Sequence, residues 1–193
     1  MFKSKVNDKD KVITLNKLKE IDLPLVLAWR NAPEVRQYMY LTHEISEAEH
    51  HAWFIRMKHD PQALWYIHQD ENGKSNGVVY FTQYQPENRS AFWGFYTAPD
   101  TLVGTGTKLG LSALDEAFNV LNLHKLNAEV ISTNERSLHF HDKLGFYREG
   151  FFRDYHFNGE HYLDVVRLGI LQSEWLKKRP EIENIIAKYD VTI

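Results

Sequence analysis

Val103-Gly104-Thr105-Gly106-Thr107-Lys108 decides the reading of this chain, together with the helical run that continues to about Leu121. Two glycines one residue apart let the backbone bend sharply and approach a ligand with no side chain between. The amides that open the following helix lack internal partners, and the helix dipole points the same way. The bend is therefore a candidate anion site, with Leu102 and Val103 leading into it and Thr105, Thr107 and Lys108 beside it. Leu111, Leu114, Phe118 and Leu121 recur at helical steps, as one buried stripe would. Upstream, Ser90–Thr97 is rich in aromatics and reads as a strand. The unit is strand, glycine loop, helix. A Gly-x-Gly alone is also an ordinary turn, so the assignment needs a second signal.

The 193 residues fit one domain with a substantial core, and 43% hydrophobic with 13% aromatic content argues against disorder over most of the length. Twenty-three basic against 26 acidic residues leave a net charge of −3, which gives no general attraction to nucleic acid. With no cysteine, disulfides, thiolate metal sites and a cysteine nucleophile are excluded. The start, Met1 to Asp8, lacks the apolar run of a signal peptide, and no stretch approaches membrane-spanning length, so a cytoplasmic protein is expected. The ten histidines do not suggest a metal site: His139 with His141, and His50 with His51, diverge on a helix, and there is no His-Glu-x-x-His.

Along the chain, residues 1–10 are polar and expected to be flexible. Val12–Leu18 reads as a strand. Asp22-Leu23-Pro24 opens a helix that Asp22 caps and that carries Leu25, Val26 and Trp29 inward. A helical piece around Glu34–Met39 follows, then Ser46-Glu47-Ala48-Glu49, a capping box. Leu64–His68, Gly77–Gln85 and Ser90–Thr97 read as three consecutive antiparallel strands, with turns at Asp70–Gly73 and Pro86–Asn88. After the glycine-loop helix come a strand over His124–Ile131 and a helix over Asn134–Leu144 that Gly145 ends. Phe146–Phe157 and Tyr162–Leu171 close the sheet as a hairpin. Residues 173–193 are expected to form a helical extension that Pro180 interrupts. The expected class is α/β (α+β) with a mixed, mostly antiparallel sheet flanked by helices, the domain proper spanning 11–172.

These elements and two motifs together resemble the GCN5-related N-acetyltransferases (GNAT). The family's acyl-CoA loop, Arg/Gln-x-x-Gly-x-Gly/Ala, falls on Thr101-Leu102-Val103-Gly104-Thr105-Gly106, with Thr101 departing from the pattern. The later segment, Asn-x-x-Ala-x-x-x-Tyr-x-x-x-Gly-Phe, matches at Asn134, Gly145 and Phe146, with Ser137 for alanine and His141 for tyrosine. Trp29-Arg30-Asn31, Tyr38-Met39-Tyr40 and His50-His51-Ala52-Trp53-Phe54 look most like the sugar-nucleotide N-acetyltransferases of the pseudaminic acid pathway, which acetylate the 4-amino group of a UDP-linked amino-dideoxy sugar. The stretch Tyr155–Asp164 also resembles ribosomal-protein and spermidine acetyltransferases.

The resemblance implies acetyl-CoA as cosubstrate and no metal. The backbone of Phe95-Tyr96-Thr97 would receive the pantetheine arm and polarise the carbonyl. Leu102 to Lys108 would hold the pyrophosphate, with Asn134, Ser137 and Lys143 nearby. His141, as imidazolium near neutral pH, would protonate the departing thiolate. For the acceptor, Arg30 would bind the diphosphate through its planar fork. Asn31, Met39, Tyr40, His50, Trp53 and Phe92 would line the pocket, with Tyr80, Thr82 and Gln83 from one strand. No carboxylate is placed as a base. Direct transfer in a ternary complex is expected, since no thiol can carry an acyl group. Two other readings compete: acetylation of a protein N-terminus or a polyamine, and a non-catalytic acetyl-CoA sensor. A homodimer is compatible with the polar, periodic tail.

Overall fold

The computed structural model describes residues 14–190. The polar segment 1–10 and the first residues of the expected strand lie outside them. Strands β1 (Thr14–Lys17), β2 (Leu64–Gln69), β3 (Ser75–Gln85), β4 (Ser90–Thr97), β5 (Lys125–Ile131), β6 (Tyr147–Phe157) and β7 (Tyr162–Leu171) form one sheet in the order β1-β2-β3-β4-β5-β7-β6. Every neighbouring pair is antiparallel except β4 with β5. The helices are α1 (Leu23–Asn31), α2 (Pro33–Arg36), α3 (Glu47–Lys58), α4 (Thr105–Asp115), α5 (Glu135–Leu144) and α6 (Gln172–Asp190). The expected mixed α/β architecture is the one observed.

Strand alternation divides the core between the two faces of the sheet. In β3, Val78 packs with Val26 and Trp29 of α1 and Phe54 of α3, whereas Val79 and Phe81 join the larger cluster on the opposite face. That cluster receives Leu109 and Leu114 of α4, Leu138 and Leu144 of α5, and Trp175 and Ile182 of α6. Fully burying side chains of this size contributes about 1.5–3 kcal/mol each.

Local chemistry fixes the helix ends. Ser46 and Glu49 cap α3 reciprocally, the Glu49 amide donating to Ser46 Oγ at 3.3 Å and the Ser46 amide to Glu49 Oε2 at 2.9 Å. Gly145 ends α5 at φ +94°, where a side chain would be strained. Asp22 precedes α1 as expected, but its carboxylate turns back to the Lys19 amide at 2.9 Å and closes a short 3-10 turn. Leu25 is exposed, because Leu23, Val26 and Trp29 occupy the inward face. On α4 the buried stripe is Leu109, Ala113, Leu114, Ala117 and Phe118, with Leu111 and Leu121 only packed against its rim. The last turn of that helix widens to a π-turn at Glu116–Val120.

The largest departure from the sequence reading is at the C-terminus. Pro180 does not interrupt the helix: α6 is continuous over 19 residues. An interior proline removes one hydrogen bond and crowds the preceding turn, and here tertiary anchors hold the helix on both sides of it. Trp175 and Ile182 are fully buried. Trp175 Nε1 donates to Asp115 Oδ1 at 3.0 Å, and the Arg179 guanidinium forks onto the same carboxylate at 2.8–3.0 Å.

Beyond Phe92 the pairing of β4 with β5 stops. Ser90, Ala91 and Phe92 pair with Lys125, Leu126 and Asn127, and residues 93–97 pair only with β3. At the fork, Asn127 Nδ2 donates to the Ala91 carbonyl at 3.1 Å. The strands then diverge and open a cleft between them.

Asp115→Ala would leave the Arg179 guanidinium and the Trp175 indole without their shared acceptor. Removing one partner from such a half-buried group costs about 2 kcal/mol. A lowered urea midpoint at unchanged slope is expected, with proteolytic cleavage appearing first within α6.

Candidate active site

The cleft between the diverging strands has a volume of about 720 Å³. Its floor is Gly94–Thr97 on one side and Ala128–Ile131 on the other. The β4 edge there has no ladder partner on the β5 side. Main-chain groups on such an edge are available to an extended polar chain, and they are desolvated when one fills the gap. Trp93, Phe95 and Phe140 stack along the wall, with centroid distances of 4.8–4.9 Å. Tyr96 directs its ring into the core on the far side of the sheet, so it meets the cleft by its backbone.

At the cleft's outer end lies the glycine loop. Gly104 has φ +94° and caps α4, and Gly104, Gly106 and Thr107 line the cleft with Leu102 and Val103. The loop amides are fewer than expected. Those of Thr105, Thr107 and Lys108 already donate to the carbonyls of Leu102 and Gly104 at 2.9–3.1 Å, whereas Gly104 and Gly106 spend none on the main chain. Thr105 is buried behind the loop. Lys108 turns away to Glu71 at 3.7 Å and does not line the cleft, because one helical turn carries it round to the other side. The cation at the loop is Lys143 of α5, which donates to Thr107 Oγ1 at 2.7 Å over the Phe140 ring. Burial lowers its pKa, and among the described residues it has no carboxylate partner. Asn134 Oδ1 accepts from the Ser137 amide at 3.1 Å, which fixes the N-terminus of α5 beside the loop.

His141 lies midway along the cleft, 3% exposed and ringed by Trp93, Phe95, Phe140 and Phe146. Its Nδ1 is 2.8 Å from the Ser137 carbonyl, which can only accept, so the proton sits on Nδ1. Burial pushes its pKa down to about 4. The sequence reading of an imidazolium at neutral pH is therefore corrected: the ring is neutral, Nδ1–H is occupied, and Nε2 is the free atom.

The inner end is lined by Met39, Tyr40 and Tyr80, with Glu34, Val35, Tyr38 and Glu129 besides. Tyr80 crosses Gly94 so closely that a Cβ there would overlap its phenol. Tyr40 Oη donates to Glu129 Oε2 at 3.1 Å, and Arg167 Nη1 binds the other oxygen at 2.7 Å. Glu129 is thus neutralised in place, and Arg167 also caps the Phe92 ring at 3.9 Å. Phe92, Thr82 and Gln83 do not line the cleft. Phe92 lies at the closed fork, and the bulge after Thr82, with Gln83 at φ +49°, turns that end of β3 away. Trp53 and His50 stack on each other at 4.9 Å and pack behind the wall, Trp53 against Trp65. Asn31 clamps the loop after α2, exchanging bonds of 2.8 and 2.9 Å with Ile45. Arg30 also stands behind the wall, and its Nη2 donates to the Leu41 carbonyl at 2.9 Å. Its Nη1 is buried without a hydrogen-bond partner. Burial lowers the Arg30 pKa, opposed by Tyr96 and Tyr80, and burial, with Arg30 second, lowers that of His50.

The acetyltransferase (GNAT) domain model matches residues 13–147. The chain belongs to that family. It is 28% identical over 167 residues to the spermidine N(1)-acetyltransferase of Vibrio cholerae, covering 86% of this chain and 96% of the relative. A crystal structure of the V. cholerae enzyme in complex with CoA and spermine superposes with a TM-score of 0.78, covering 85% of this chain and 98% of that one. Acetyltransferase PseH of Campylobacter jejuni is 29% identical over 125 residues, 65% of this chain and 76% of the relative. The GNAT chain described here is an acyltransferase, an acetyl-CoA-dependent N-acetyltransferase. No helix among the described residues is long and apolar enough to cross a membrane.

Glu34, Val35, Tyr38 and Arg136 escaped the sequence reading, as did His139 and Tyr189, all of which line the cleft. Glu34 and Val35 had a signal, since they precede Tyr38-Met39-Tyr40. Tyr189 had none, because its place depends on the path of α6.

The His141 environment predicts a pH dependence of stability. The unfolded imidazole has a pKa of about 6.5 and the folded one about 4. The unfolded chain therefore binds the proton more readily, and stability is full above about pH 6.5 and drains as pH falls toward 4. His141→Phe is expected to flatten that limb by about 3 kcal/mol, read from urea midpoints at successive pH values.

Proposed function

We propose that this N-acetyltransferase modifies the amino group of a nucleotide-linked amino-dideoxy sugar by direct transfer in a ternary complex. The observation that carries this is Arg30. It is a half-buried guanidinium with one orphaned nitrogen and no carboxylate partner among the described residues; it does not line the cleft itself but interacts with Tyr80 and Tyr96, which do. Such a charge is costly unless an anion meets it. A diphosphate presented past Tyr80 would do so, and it would remove one cause of the depressed His50 pKa. Met39, Tyr40 and Tyr80 offer apolar and aromatic surface for a sugar.

In this reading the free amine attacks the thioester carbonyl, whose oxygen takes a main-chain donor from the unpaired β4 edge near Phe95–Thr97. As the N–C bond forms the nitrogen becomes cationic and acidic. His141 Nε2 accepts its proton and gives it to sulfur as the C–S bond breaks. A histidine that resists the charge holds the proton only in passing. The pyrophosphate of the donor lies against Gly104, Gly106 and Lys143.

A second reading, transfer to a polyamine, is favoured by the V. cholerae relative, which matches more of the chain than PseH does. Glu34 and Glu129 line the same end of the cleft. Against it, both oxygens of Glu129 are already engaged, so a polycation would meet one available carboxylate there.

Turnover of a UDP-linked 4-amino sugar is expected to exceed that of spermidine at equal concentration, and the reverse order would replace the first reading with the second. Arg30→Ala should raise KM for the nucleotide sugar about tenfold or more and leave KM for acetyl-CoA within twofold. His141→Phe should lower kcat at least about tenfold with acetyl-CoA affinity unchanged. Unaltered turnover in that variant would remove the histidine from the reaction.

A further inference from the structure

Helix α6 lies wholly outside the residues that the family model matches, yet its last turn reaches the cleft. Its buried stripe runs Trp175, Ile182, Ile186, and the next position on the same face is Tyr189. The first three members enter the main core. Tyr189 lies past that core and against the glycine loop. A Cβ built on Gly104 would meet the Tyr189 ring at 2.8 and 3.1 Å, so the phenol packs directly on the bare main chain of the loop. Gly104 thus carries two constraints, its φ of +94° and the ring laid against it.

Tyr189 lines the same cleft as Gly106, Thr107 and Lys143. Leu102 and Val103, which lead into the loop and line the same cleft, are 73% and 84% exposed, an unusual outlay of aliphatic surface beside the glycine loop. An aromatic ring, two aliphatic side chains, two free amides and a cation form one continuous surface. Its chemistry fits a phosphorylated nucleoside: phosphates on the amides and Lys143, the flat base between the ring and the aliphatic rim.

We propose that Tyr189 is a binding residue for the nucleotide half of acetyl-CoA, so that α6 completes the donor site. This rests on the assignment of the glycine loop to the donor's pyrophosphate. Asp115 then has a second consequence, since its bonds to Trp175 and Arg179 hold the helix that delivers the ring.

The test compares acetyl-CoA with S-acetyl-pantetheine, which shares the thioester and arm but lacks the nucleotide. In Tyr189→Ala, KM for acetyl-CoA should rise about tenfold, the size of one lost base–aromatic stack, with kcat within twofold. KM for S-acetyl-pantetheine should not move, and Tyr189→Phe should restore acetyl-CoA binding. An unchanged or lowered KM for acetyl-CoA in the alanine variant would overturn the proposal, as would an equal rise for both thioesters. A wild-type enzyme that uses the two thioesters equally well would instead overturn the pyrophosphate assignment of the loop, and the role of Tyr189 with it.

Discussion

The parting of β4 from β5 after Phe92 is the constraint on which the site depends. A parallel pair left together would bury its main-chain groups in a ladder. Parted, it leaves the β4 edge from Trp93 to Thr97 facing a gap. The fork is held at its closed end by the Asn127 amide on the Ala91 carbonyl and by Phe92 under Arg167. From there the cleft runs to the glycine loop, so the unpaired strand edge and the loop line the same cleft. In the proposed reaction the thioester carbonyl would be set between the unpaired main chain and His141, both of which line the cleft.

Buried charge is managed differently at the two ends of that line. Glu129 is satisfied twice, by Arg167 and Tyr40, and serves as a wall. Lys143 and Arg30 are half-buried cations without carboxylates among the described residues, one beside the loop and one behind the inner wall. A protein that leaves two such groups uncompensated gives up stability in the free state, and the loss is recovered when anions arrive. Between them His141 is held neutral by its aromatic cage. The order along the cleft is cation, neutral histidine, cation, which is what the proposed transfer to a nucleotide-linked amine would use.

Much of this was legible in the sequence where one residue decides local geometry. Gly145 ends its helix in the left-handed backbone expected of it, Gly104 makes the expected sharp bend at φ +94°, and the Ser46–Glu49 capping box forms. The three consecutive antiparallel strands and the closing hairpin also formed as their turns implied, whereas the place of β7 between β5 and β6 depends on long-range pairing and was not read from the sequence. What failed was whatever depended on burial by distant parts of the chain. Lys108 sits in the glycine-loop motif but points off it to Glu71, and Lys143, 35 positions later, is the cation beside Thr107. The expected imidazolium of His141 was lost to four aromatic rings gathered from β4, α5 and Phe146 just before β6. Pro180 reads as a break because local propensity has no knowledge of Asp115.

That last failure shows how the helix and the site are related. A proline in mid-helix makes α6 a poor helix by itself, so its continuity rests on the Asp115 carboxylate and on the burial of Trp175 and Ile182. Asp115 ends α4, the helix whose first turn is the glycine loop. One element thus carries the cradle at its N-terminus and, at its C-terminus, the anchor for the helix that returns Tyr189 to that cradle. A change at either end of α4 is transmitted to the same wall of the cleft, from opposite directions, through packed and hydrogen-bonded contacts alone.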